Sequence, residues 1–141
     1  MRLRDRGPDD LLALADGLLR RADPATAGLW PRASAILALR ALEAGVLRLW
    51  ERQTLDLRRC PMRAQLICLR TYLGDASLAA RTGHAWSALS RACHHHPYEL
   101  APTAAELESW FSVVRELIGV SAPSGRARSG RPRSPRRPPS P

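Results

Sequence analysis

WPRASAILALRALEAGVLRLWERQ, residues 30–53, sets Pro31 at the start of a run that carries Ile36, Leu39, Glu43, Val46, Leu47 and Trp50 at intervals of three and four. That spacing is the helical period, and a proline in a first turn costs nothing because its missing N–H would have had no intrahelical acceptor. The stretch predicts a helix over 31–53, the longest and best defined in the chain, and its composition sets the tone for the rest. Leucine and alanine dominate, β-branched residues are few, and no segment alternates with the period of two that a half-buried strand requires.

Working outward toward the amino terminus, PDDLLALADGLLRRAD (residues 8–23) places Leu11, Leu14, Ala15, Leu18 and Leu19 on one stripe. Acids stand in its first turn and arginines in its last, which suits the helix dipole, so a helix is expected over 9–22. In the other direction Pro61 opens a segment in which Met62, Leu66, Leu69 and Leu73 line up, and Gly74 followed by Asp75 reads as a helix stop and then a cap. That gives a helix over 62–73. From Asp75 onward Leu78, Thr82, Ala85, Trp86, Leu89 and Cys93 share a face, with Gly83 weakening the middle by roughly 1 kcal/mol relative to alanine. Thr103 and Glu106 have capping-box spacing and start a last helix, 104–119, expected to bury Leu107, Trp110, Phe111, Val114, Leu117 and Ile118. The expected fold is all-α, an antiparallel bundle of about five helices over residues 1–121.

Residues 122–141, APSGRARSGRPRSPRRPPSP, hold no large apolar side chain and are expected to stay disordered, since they bury too little to offset the entropy of ordering. Six arginines and no acid lie there, most of the chain's net charge of +9. Arg126, Arg128, Arg131, Arg133, Arg136 and Arg137 are candidate phosphate contacts to RNA, though a solvated tail without a dedicated partner fits the same composition. All 22 basic residues of the chain are arginine, a bias that reflects coding composition and makes any single arginine weak testimony.

The 141 residues suffice for one domain with a core. The apolar runs fall short of the roughly 18–20 residues of a membrane span, and the charged start MRLRDRGPDD lacks the apolar centre of a signal peptide. A cytoplasmic protein with no membrane partner is expected. Cys60, Cys68 and Cys93 are odd in number, without disulfide or zinc-knuckle spacing, and are read as reduced.

The chemistry concentrates in RACHHHPYEL, residues 91–100, where three of the four histidines follow a cysteine and precede a proline. Pro97 disfavours helical backbone at His96, so the fourth helix should end inside the triplet. A metal site could draw on Cys93, His95 and His96, but neighbours on a helix diverge by about 100°, so one turn supplies only two ligands. Cys93 continues the stripe of Leu89 and reads as a small hydrophobe rather than a nucleophile. The imidazoles can also simply cap the helix end, worth about 0.3–1 kcal/mol, with Tyr98 and Glu99 holding the turn by hydrogen bonds.

Arg91 and His96 enclose four residues. In this Arg-x4-His arrangement, late in a helical bundle, the chain over roughly 30–118 resembles the HEPN superfamily. The stretches RAQLICLRTYLGD (63–75) and HAWSALSRACHHHPYELAPTAAELESW (84–110) also look like actinobacterial HEPN-type proteins. The resemblance implies a metal-independent endoribonuclease site assembled between two protomers, needing no cofactor. His96 would then be the general acid or base and Arg91 the phosphate-holding group. Ala92 departs from the family, where the position after the arginine is often polar. His95, four residues from Arg91, competes with His96, while His94 is expected to point away from Arg91 and serve the cap. The implied function is an RNA-acting enzyme of toxin or phage-defence type, working as a homodimer across an apolar strip that includes Trp30, Trp50 or Trp86. Two other readings stay open: a non-catalytic bundle that binds RNA or a protein partner such as a nucleotidyltransferase-type antitoxin, and a zinc-stabilised module.

Overall fold

Small side chains let one helix touch all the others. The computed structural model describes residues 5–21, 23–26, 29–54, 56–94 and 98–123. It contains α1 (Pro8–Arg20), α2 (Trp30–Trp50), α3 (Met62–Tyr72), α4 (Ala76–Cys93) and α5 (Ala104–Ser121), with a short 3-10 turn at Pro24–Thr26. Among the described residues there is no strand, and the fold is the expected all-α antiparallel bundle. No described helix is long and apolar enough to cross a membrane. The basic tail from Ser124 onward, with all six of its arginines, lies outside the described residues.

α2 is the central element, packed against α1, α5 and α4 and more lightly against α3. Its buried positions only partly follow the stripe that the three-and-four spacing of its large residues marks out. Val46 and Trp50 are buried as expected, and so are Ser34, Ala35, Ala38, Ala41, Leu42 and Gly45, whereas Ile36 is exposed and Leu39 and Leu47 are only half-buried. The physical reason is the number of neighbours. A helix contacted on several sides needs small residues where backbones approach, and its large residues fill the gaps between partners. The Ser34 hydroxyl donates to the Ala15 carbonyl at 2.8 Å, which satisfies a buried polar group and ties α2 to α1. At Gly45 a β-carbon would lie 3.5 Å from Ile118 Cγ1, so α2 and α5 meet at ordinary van der Waals distance there.

Trp50 closes the core at the far end of α2, only 1% exposed, with its ring edge-to-face against Tyr72 at a centroid distance of 5.6 Å. It is therefore no part of an apolar surface strip that a second copy could cover. Just beyond it, Arg52 donates to the carbonyl oxygens of Ala122 (2.8 Å) and Ser121 (3.3 Å), meeting acceptors that the end of α5 would otherwise leave open. Helix boundaries move slightly from expectation: α1 spans Pro8–Arg20, α2 Trp30–Trp50 and α3 Met62–Tyr72, and α5 runs on to Ser121.

α4 and α5 carry the site, and both begin as their sequences dictate. Gly74 adopts φ 73°, the left-handed stop after α3, and the Asp75 side chain accepts from the Leu78 N–H at 2.9 Å. At α5 the capping box is complete: the Thr103 hydroxyl accepts from the Glu106 N–H, and the Glu106 carboxylate accepts from the Thr103 N–H at 2.8 Å. Ala85, Leu89, Leu107, Phe111, Val114 and Leu117 share the core on the inner faces of the pair. On the outside, Arg81 grips Glu116 through both terminal guanidinium nitrogens, at 2.6 and 3.0 Å, and pins one helix to the other.

Candidate functional site

The end of α4 comes at the first histidine of the triplet. His94 has extended backbone (φ −82°, ψ 127°), and its N–H bonds the Arg91 carbonyl at 3.1 Å, a tightened last turn. The helix thus stops before His95, and helical spacing no longer sets His95 on the face of Arg91. His95, His96 and Pro97 lie outside the described residues. His94 is the correction: it lines the same cleft as Arg91 instead of pointing away. Three residues along a helix amount to a rotation that returns within about 60° of the start, and α4 is still helical up to Cys93.

That cleft is open to solvent and encloses about 440 Å³ where the end of α4, the start of α5, their connection and the first turn of α2 converge. Its lining includes Arg91 and His94 from the end of α4 and Arg32 from α2. Leu100, Pro102 and Trp110 line it as well, with Glu99 and Glu106. Ala88 and Ala92 line it from α4 with side chains no larger than a methyl, which keeps Arg91 accessible between them. Arg91 is exposed and makes no ion pair among the described residues. Glu106 is engaged by its own helix start, and the hydrogen bonds from Thr103 hold its carboxyl below the usual glutamate range.

Other residues of the segment fall into quieter roles. Cys93 is half-buried, and burial, helped by the nearby Glu43 carboxylate, pushes its thiol up, which disfavours the thiolate a nucleophile needs. Glu43 in turn accepts from the Trp86 indole N–H at 3.3 Å and pairs with Arg40. Tyr98 is 98% exposed and makes no hydrogen bond among the described residues. His84 is exposed on α4. Among the described residues no three His, Cys, Asp or Glu side chains gather as a metal cluster, and all three cysteines are free.

Two cleft residues escaped the sequence reading. Arg32 follows Pro31 in a first turn, and nothing in α2 announces that this turn reaches the end of α4. Trp110 falls on the apolar stripe of α5 and was expected in the core; it is half-buried and turns toward the cleft. The available signal was its i, i+4 relation to Glu106, a polar residue that has to stay near water. Set against protein-family models, curated proteins and solved structures, the chain finds no match in any of the three comparisons.

Proposed function

We propose that this chain is a HEPN-like RNA-acting protein, a metal-independent endoribonuclease of toxin or phage-defence type. The observation that supports this reading is the meeting of Arg91 and His94 on one open cleft, with Arg32 beside them. A guanidinium with no ion-pair partner and an imidazole are the two groups that cleavage of RNA by its own 2′-hydroxyl requires. The histidine takes the 2′ proton as the 2′ oxygen bonds to phosphorus. The bond from phosphorus to the 5′ oxygen then breaks, and that oxygen takes the proton from the imidazolium. Arg91 carries the growing charge on the non-bridging oxygens. His96 keeps the general acid–base assignment, with His95 and now His94 as its competitors. A second copy of the chain supplies the complementary half of the site, and the tail arginines 126, 128, 131, 133, 136 and 137 add phosphate contacts that weaken with salt.

The test is cleavage of a mixed RNA in excess EDTA by wild type and by Arg91→Ala, His94→Ala, His95→Ala and His96→Ala. Cleavage should leave 2′,3′-cyclic phosphates, and loss of Arg91 or of the true acid–base histidine should slow it about a hundredfold or more. The single histidine variant that abolishes cutting identifies the base. Retained RNA binding with no cleavage by wild type would leave a non-catalytic binding bundle. No RNA binding at all would end the reading.

A further inference from the structure

The cleft also holds groups that phosphate chemistry does not use. Trp110 stands one helical turn from Glu106 on α5 and lines the same cleft as Arg91, and it differs from Trp50 and Trp86. The Trp86 indole N–H is taken by Glu43, and Trp50 is sealed in the core. Trp110 makes no ring contact and no hydrogen bond among the described residues, and its N–H is not sealed from solvent either. A half-buried indole that lines the cleft and has no ring stacked on it among the described residues is held by its own helix where a base can stack. Beside it Leu100 is 97% exposed.

We infer that Trp110 is a nucleobase-stacking residue, and that the cleft takes single-stranded RNA in preference to duplex. The inference rests on the RNA-acting reading above and names its substrate class. A bare anion would be served by Arg91 and repelled by the Glu99 and Glu106 carboxylates that line the same cleft. An unpaired nucleotide suits both kinds of group: its phosphate pairs with Arg91, its base stacks on Trp110, and its ring N–H and amino groups donate to the carboxylates. A cleft of about 440 Å³ accommodates a ligand of that size. Bases within a duplex are already stacked and paired, so they cannot reach the indole without unpairing.

The experiment measures binding of the full-length chain to a single-stranded RNA 12-mer, to the same strand annealed to its complement, and to inorganic pyrophosphate. The proteins are wild type, Trp110→Ala, Trp110→Phe and Arg91→Ala. Trp110→Ala should lower affinity for the single strand by roughly tenfold or more, the usual scale for removing one stacking aromatic. Trp110→Phe should recover most of it, and Arg91→Ala should weaken pyrophosphate and RNA alike. Should Trp110→Ala fold poorly, the indole resonances of nitrogen-15-labelled wild type decide: the one missing from Trp110→Phe must shift when the single strand is added. Unchanged affinity in Trp110→Ala, an unmoved resonance, or equal binding of the duplex overturns the stacking role while leaving the function standing. Failure of wild type to bind either RNA overturns the function itself.

Discussion

The two ends of α4 are built in opposite ways. At its start Gly74 takes the left-handed conformation and the Asp75 carboxylate receives the Leu78 N–H, so each polar group there is used to begin the helix. At its finish no described side chain caps the helix: His94 steps out into extended backbone, and Arg91 makes no ion pair among the described residues at the edge of an open cleft. The start is made of residues whose only local use is to shape the chain. The finish gathers a permanent cation and an imidazole where folding does not require them. Polar side chains consumed by capping are unavailable for chemistry, so a helix end that leaves them unconsumed is the end to examine for function.

The sharpest way to break this contrast is Arg91→Ala. It should cost the proposed RNA cleavage about a hundredfold yet leave the melting temperature within error, because the exposed guanidinium makes no hydrogen bond or ion pair among the described residues. A drop in melting temperature of many degrees would make the finish as structural as the start. Next in size is Gly74→Ala, which should destabilise the protein by roughly 1–2 kcal/mol in urea unfolding, the cost of left-handed backbone for a residue with a β-carbon. Asp75→Ala should cost about 1 kcal/mol through loss of the cap, again with catalysis unimpaired in the folded protein. Between the ends, Gly83 has open space where a β-carbon would go, so Gly83→Ala should raise stability by roughly 0.5–1 kcal/mol. The smallest effect belongs to the start of α5. Glu106 has its pKa depressed in the folded chain, so its contribution is present above the usual glutamate range and is lost as pH falls through the lower folded value. An acid titration of helicity should therefore be flatter in Glu106→Gln than in wild type.

Much of this architecture was legible along the chain because local chemistry settles it. The cap at Asp75, the stop at Gly74 and the capping box of Thr103 and Glu106 involve residues within four positions of one another. The outer helices bury several of the apolar residues their period indicates, among them Leu11, Leu19, Leu69, Leu89 and Phe111, while Leu14, Leu18, Leu66 and Trp86 are only half-buried and Leu12, off the expected stripe, is buried. α2 is where period misleads. Ala35, Ala38 and Ala41 are wholly buried and Ile36 is exposed, since a central helix sorts its residues by the space between several partners as well as by polarity.

The site divides in the same way. That the fourth helix would stop at the histidines was written in the sequence, because backbone geometry near a proline is a local matter, although the stop came at His94 rather than deeper in the triplet. Arg91 too was marked from sequence, by its distance from the histidines. Bringing Arg32, Arg91, His94 and Trp110 to one cleft was decided only by the tertiary structure. Those residues come from three helices, and helical period fixes which side of its own axis a residue occupies but not which neighbour that side meets. The sequence alone therefore determined the helices, their caps and the residue types available for chemistry; packing around α2 decided which of them share a cleft, because only the crossing of helices sets distances between residues far apart in the chain.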